Sequence, residues 1–162
     1  MYSLYMQDYV LKAFSKTPHI VERVLRVFPH DRLDDVIEKD RFTAREVIAH
    51  LADYEQTVLE RFRTAKLKPG TQVDNYDPDE RAASHKFSEK EPFREAEVFE
   101  SRRGITVTYL SEFTEEDWKS TFVHPSGKTM TARDYLNMLV GHDLDHIDQL
   151  SAYLATEVAT IS

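Results

Sequence analysis

At 162 residues, with no cysteine, four glycines and six prolines, the chain is sized for one domain and lacks the means for disulfides, thiolate metal sites or a cysteine nucleophile. A formal charge of -8 at pH 7, with no Lys/Arg stripe interleaved with aromatics, argues against a nucleic-acid partner. No segment approaches the apolar length of a bilayer span and the opening residues lack a basic-then-apolar leader pattern, so no membrane partner and a cytoplasmic location are expected.

The long stretches between breakers are rich in Leu, Ala, Glu, Arg and Lys, which predicts an all-α chain with main helices at about 4–28, 44–66, 89–113 and 132–157. In the first, the apolar positions Tyr9, Val10, Phe14, Val21 and Leu25 are interrupted by Thr17-Pro18, where a break or kink is expected. Phe28-Pro29 ends it, and residues 30–41 form a connector. The second begins at Thr43, whose hydroxyl and the Glu46 carboxylate have capping-box spacing, with Phe42 and Val47 as the apolar staple. The following connection, residues 67–87, holds Pro69-Gly70, Asn75 and Asp77-Pro78 and is long enough to run from one end of a bundle to the other. The third helix is expected from Ser88-Glu89-Lys90-Glu91, with Pro92 inside its first turn. Pro125-Ser126-Gly127-Lys128 then reads as a turn between short extended pieces, and Thr131 with Asp134 opens the fourth helix.

That fourth helix places His142 and His146 one turn apart on one face, so two imidazoles can reach one ion. The same face carries Tyr135, Leu139, Gln149 and Tyr153 and points into packed interior, where a satisfied polar pair is the alternative. His50, on a face of the second helix shared with Val47, Tyr54, Thr57 and Arg61, supplies a third ligand. Three neutral imidazoles suit one divalent ion such as Zn, Ni or Fe and leave positions for water or substrate. His19, His30, His85 and His124 fall in polar connections or beside prolines and read as surface or loop histidines. His142 to His146 also has the spacing of His-Glu-x-x-His, with Asp143 at the general-base position of a peptidase. Asp is a methylene shorter, however, and a compact bundle offers no groove for an extended peptide.

The segments Glu46–Glu55, around His50, and Gly141–Leu150, around the histidine pair, resemble the DinB/YfiT-like family. Thr17-Pro18, Arg61-Phe62-Arg63, Arg103, Asp117-Trp118 and His124-Pro125-Ser126-Gly127 extend the likeness over nearly the whole chain. The resemblance implies a four-helix bundle with a long crossover between helices two and three, a metal near one end, and commonly a homodimer. Similar proteins include S-transferases acting with bacillithiol, a mycothiol-dependent isomerase and hydrolase-like members. The expected function is a metal-dependent transferase joining a low-molecular-weight thiol to a small electrophilic substrate. A metal-dependent hydrolase, or a metal-stabilised or metal-sensing dimer without catalysis, is the alternative.

Around the ligands, Arg61 and Arg103 are candidates to hold a carboxylate or phosphate of a cofactor, the other reading being salt bridges. Asp53, Glu46 and Gln149 lie at helical spacing from the histidines, where they can orient imidazole N–H groups or take a proton from bound water. Tyr54, Tyr135 and Tyr153 are expected to line the cavity. Leu136, Val140, Leu144, Ile147 and Leu154 form a second apolar side of the last helix, available to a partner subunit.

Overall fold

The computed structural model describes residues 4–160. Its helices are α1 (Leu4–Val27), α2 (Ala44–Leu67), α3 (Pro78–Ser84), α4 (Pro92–Ser111), α5 (Glu115–Lys119) and α6 (Ala132–Thr160). A short hairpin of β1 (Thr121–Val123) and β2 (Thr129–Thr131) separates α5 from α6. The four long helices form the bundle: α1 packs on α4 and α6, α4 also packs on α2, and α2 meets α6 to close the ring.

The direction of each helix follows from its core residues. One apolar cluster gathers Val21 of α1, Ile48 of α2, Phe99 of α4 and Leu150 of α6; the other gathers Phe14, Phe62, Leu110 and Leu136 of the same helices. Chain order therefore carries α2 and α4 the same way through the bundle, and α1 and α6 the opposite way. Two consecutive parallel helices need a connection that returns along the bundle, which is the service performed by the expected crossover. It is stitched to the hairpin on its way: Val73 N donates to Val123 O at 3.0 Å, and Val123 N to Thr71 O at 2.9 Å. The hairpin turn closes through His124 N to Lys128 O at 2.8 Å, with Gly127 at φ 83°, a conformation that disfavours residues bearing Cβ.

Between the two apolar clusters lies one polar layer, centred on Arg103, which is 3% exposed. Its Nε and Nη2 donate to the two oxygens of Glu55 at 2.8 and 2.9 Å. Nη1 and Nη2 donate to the oxygens of Asp143 at 2.7 and 3.1 Å, and Nη1 also donates to the carbonyl of Phe14 at 2.7 Å. Thr17 donates its hydroxyl to Asp143 at 2.6 Å. Each long helix thus contributes a group to one cluster. Burial pushes the Glu55 carboxyl up against the pull of Arg103. Asp143 also pays a burial penalty, but His142, Arg103 and Thr17 together hold it below the usual carboxylate range.

Of the break or kink expected at Thr17-Pro18, the break does not form, because α1 runs continuously from Leu4 to Val27 with Pro18 inside it. Proline removes the N–H that would bond the carbonyl four residues earlier. Here that carbonyl belongs to Phe14 and accepts from Arg103, so the helix continues without an orphaned acceptor. The start of α4 also differs: it begins at Pro92, and the capping group is the Glu91 carboxylate, which accepts from Phe93 N and Arg94 N. The residue before a proline is pushed to extended backbone; Glu91 is extended and so is Lys90, and Phe87–Glu89 form a separate turn ahead of them. Helices α3 and α5, not anticipated, are short pieces capped by Asp77 and Thr114. Of the five apolar residues assigned to a second side of the last helix, Leu136 is buried in the chain's own core and Leu144 is 63% exposed.

Arg103→Met should destabilise the fold by about 3–5 kcal/mol, since two buried carboxylates lose their cation. Urea denaturation of Arg103→Met against the triple variant Arg103→Met, Glu55→Gln, Asp143→Asn checks this. The triple variant should be the more stable of the two, because it strands no charge.

Candidate metal centre

The seam between α2 and α6 holds His50, His142 and His146. The Thr43–Glu46 capping box fixes the start of α2: Glu46 N donates to Thr43 Oγ1 at 3.3 Å and Thr43 N to Glu46 Oε2 at 2.9 Å. Glu46 is therefore committed to the cap rather than to an imidazole. Thr131 Oγ1 accepts from Asp134 N at 3.0 Å at the start of α6. From these helices all three imidazoles turn Nε2 to a common point. His50 Nε2 lies 3.3 Å from His142 Nε2, His146 Nε2 lies 3.2 Å from His142 Nε2, and the three ligand atoms all fall within 4.8 Å of one another. A tetrahedral ion with metal–nitrogen bonds of about 2.0–2.1 Å needs ligand nitrogens roughly 3.3–3.4 Å apart, so the two contacts to His142 fit one.

The far side of each outer ring fixes its tautomer. Tyr76 donates its hydroxyl to Asp53 Oδ2 at 3.0 Å, which leaves its oxygen to accept from His50 Nδ1 at 3.2 Å. Asp53 is held by Arg81, whose Nε and Nη2 donate to it at 2.9 and 2.6 Å. Burial would raise the Asp53 carboxyl, but the bonds from Arg81 and Tyr76 win and hold it low. On α6, Gln149 Nε2 donates to Tyr153 Oη at 2.8 Å, so its Oε1 accepts from His146 Nδ1 at 3.1 Å. Both Nε2 lone pairs are thereby left free toward the common point. The third ring, His142, has Nδ1 4.0 Å from Asp143 Oδ1, which is an electrostatic contact beyond hydrogen-bond reach.

Burial and the neighbouring imidazoles push His50 down to about 3 and His146 down to about 4. Both rings are thus neutral over the range in which imidazole ligates metals. They open into a cavity of about 340 Å³ whose wall also includes Phe42, Tyr54, Arg61, Tyr76 and His124.

The structure brings most of the expected site residues together, with altered roles for several. Gln149 orients His146 directly, and Asp53 reaches His50 through Tyr76. Tyr54 lies on the cavity wall, its ring stacked on His50 at 5.8 Å. Tyr135 is fully buried behind it, 3.2 Å from the Tyr54 hydroxyl. Arg61 also reaches the wall. Arg103 does not: its donors are spent on Glu55, Asp143 and Phe14, leaving none for a ligand. Asp143 is likewise locked in that cluster instead of standing at a general-base position. Sequence reasoning missed Tyr76 and Arg81, which the crossover delivers. It also placed His124 among loop histidines, whereas the hairpin sets that ring on the cavity wall.

Residues 13–150 match the DinB superfamily. The chain belongs to that superfamily. A DinB-like relative, YfiT of Bacillus subtilis (strain 168), is 24% identical over 148 residues, spanning 90% of this chain and 82% of YfiT. The YfiT structure, described as a probable metal-dependent hydrolase with an unusual four-helix bundle topology, matches with a TM-score of 0.88 at 20% identity, covering 93% of this chain and 87% of YfiT. A mycothiol-dependent maleylpyruvate isomerase matches with a TM-score of 0.72 at 18% identity, over 88% of this chain and 60% of the isomerase. The bundle with its long crossover is thus the DinB-like fold. Among the described residues, no helix is long and apolar enough to cross a membrane.

Two outcomes test the site. Tyr76→Phe and Gln149→Ala should each weaken metal affinity about 10–100-fold, as removal of an imidazole's outer partner does, measured by chelator competition. In metal-free protein, the unfolded chain's histidines take up protons near pH 6.5 while folded His50 and His146 stay neutral until about 3 and about 4. The unfolded state then holds more protons, so stability should fall as pH drops through that window, with a slope approaching roughly 1.4 kcal/mol per pH unit for each ring. Urea midpoints across the window, compared with those of His146→Gln, measure it.

Proposed function

We propose that this chain is a metal-dependent enzyme that uses an exogenous low-molecular-weight thiol as nucleophile on a small electrophilic substrate. The observation that carries the reading is the convergence of three Nε2 atoms on one point at the floor of an open cavity. A structural site closes around its ion, whereas three protein ligands beside a cavity leave a coordination position to a reactant. A divalent ion held there lowers the pKa of a thiol or water in that position.

The chain's own groups favour a thiol over water. Asp143 is bound by Arg103 and Thr17, Asp53 by Arg81 and Tyr76, and Glu55 by Arg103. No carboxylate lines the cavity, so none stands ready to take a proton from water during attack. A thiol, far more acidic than water, needs no such base once its pKa is lowered. The chain itself has no cysteine, so the thiol must come from outside. The mycothiol dependence of the structurally similar isomerase supports this choice, and the description of YfiT supports the hydrolytic alternative.

Metal-loaded protein should consume a haloarene or maleate-type electrophile only when a small thiol is also supplied, followed by loss of free thiol and by mass spectrometry of the adduct. His142→Ala should lower turnover by a factor on the order of a hundred or more, in line with loss of a Lewis-acid site. Ester turnover with metal alone, unaffected by thiol, would establish hydrolysis instead.

A further inference from the structure

The bundle buries two arginines, Arg61 on α2 and Arg103 on α4, in opposite states of satisfaction. Arg103 spends all five of its N–H donors on two carboxylates and a carbonyl. Arg61 is 4% exposed and makes two bonds to neutral groups: Nη1 donates to the Tyr54 hydroxyl and Nη2 to the Asp74 carbonyl, each at 3.2 Å. Its Nε is buried with no partner, and among the described residues no carboxylate forms an ion pair with it. A buried cation without a counter-ion is costly unless something supplies the charge.

What faces Arg61 narrows that something. It lies on the wall of the imidazole cavity and on the wall of an adjoining groove of about 490 Å³, the two sharing Arg61, Asn75 and Tyr76. The cavity has no carboxylate of its own. His124, also on the wall, accepts at Nδ1 from Ser126 N at 3.2 Å and from Ser126 Oγ at 2.9 Å, so its ring proton sits on Nε2 as a further donor. Burial and the Arg61 charge keep that ring neutral by lowering its pKa. In a chain of net charge -8, the cavity beside the imidazoles thus holds the Arg61 charge and the His124 N–H with no carboxylate on its own wall, the acids Asp53, Glu60 and Asp74 lying in the adjoining groove.

We propose that Arg61, seconded by His124, is an oxyanion-recognition site that binds a carboxylate or phosphate group of the small molecule whose reactive end reaches the three imidazoles. The proposal deepens the enzymatic reading and rests on it for the identity of the reactive end. The anion site itself requires no metal. Arginine's planar fork matches both oxyanions, and the joined cavity and groove give a ligand room to lie across Arg61. The substrate, or the thiol co-substrate, is then an anionic molecule rather than a neutral hydrophobic one.

Inorganic phosphate and acetate serve as probes, titrated into metal-free and metal-loaded protein, with the Arg61 Nε–H resonance and calorimetry as readouts. A saturable shift of that resonance in wild-type protein by either anion, with and without metal, is expected. Arg61→Gln should weaken binding roughly tenfold or more, Arg61→Lys should retain part of it, and His146→Ala should leave it intact. Because the resonance is read in the unmutated chain, a variant that misfolds does not decide the matter. If no anion shifts it in either state, or if binding is lost in His146→Ala and kept in Arg61→Gln, the proposal is overturned. The second result would place the anion on the metal and leave the metal reading standing. Phosphate binding at Arg61 in a protein that takes up no metal would do the reverse.

Discussion

The constraint on which the structure depends is the guanidinium of Arg103. A buried arginine has five donors to satisfy, and here the acceptors come from the other three long helices: Phe14 O on α1, Glu55 on α2 and Asp143 on α6. Apolar side chains can slide past one another at modest cost, but a charged fork with fixed directions accepts one arrangement. The two apolar clusters above and below it supply the larger share of burial energy. The polar layer between them sets which residues are level with which. Breaking it removes register as well as stability, because its members have no alternative partners in an apolar interior.

That register is what makes the imidazoles meet. Asp143 is the residue after His142, and Glu55 lies five positions beyond His50, so fastening both carboxylates to Arg103 sets α2 against α6 at the height of the histidines. The capping box at Thr43 and the cap at Thr131 fix where each helix begins, and therefore how far along the seam each ligand falls. The crossover completes the site from outside by laying Tyr76 over His50 and Arg81 over Asp53. Its backbone is held to the hairpin that also carries His124. The parallel course of α2 and α4 forces a long return segment past the open seam, so the connection demanded by topology is also the one that finishes the cavity.

Much of this was legible in the sequence, for identifiable reasons. The caps at Thr43 and Thr131 are local signals, with donor and acceptor within one helical turn, and both stand where the spacing put them. The three histidines were legible because helical periodicity places them on inward faces. Long-range partners left no such trace. Thr17, Pro18 and Arg103 could be noticed as unusual, but nothing local says that a proline on α1 frees the carbonyl that an arginine on α4 will use. Of the break or kink expected at Pro18, the break is absent for that reason: the rule about proline counts the lost bond and cannot see the replacement donor. Tyr76 and Arg81 sit in a charged connector where no periodicity applies. The only available hint was an aromatic residue beside Asp77-Pro78, a cap-like pair that does start α3.

The charge around the proposed ion is arranged asymmetrically, and this bears on what the site can select. Three neutral imidazoles leave a divalent ion with its full charge, unlike a carboxylate-rich set that would cancel it. Behind the ligands stand anions: Asp143, 4.0 Å from His142 Nδ1, in a cluster with two carboxylates to one guanidinium, and Asp53 beyond Tyr76. In front of them stand Arg61 and the N–H of His124. A cation is thus favoured at the imidazoles from behind, while the open side offers positive charge and donors to whatever enters. A neutral apolar molecule would gain little there, and would leave Arg61 with only its bonds to neutral groups and its contacts with the Tyr54 and Tyr135 rings. An anion entering the cavity meets attraction from both the ion and the arginine at close range, where the low-dielectric walls screen it least. On the proposed reading, selection by charge requires no change in the bundle, only that the two buried arginines remain unequal: Arg103 is paired with two carboxylates, while Arg61 forms no ion pair among the described residues.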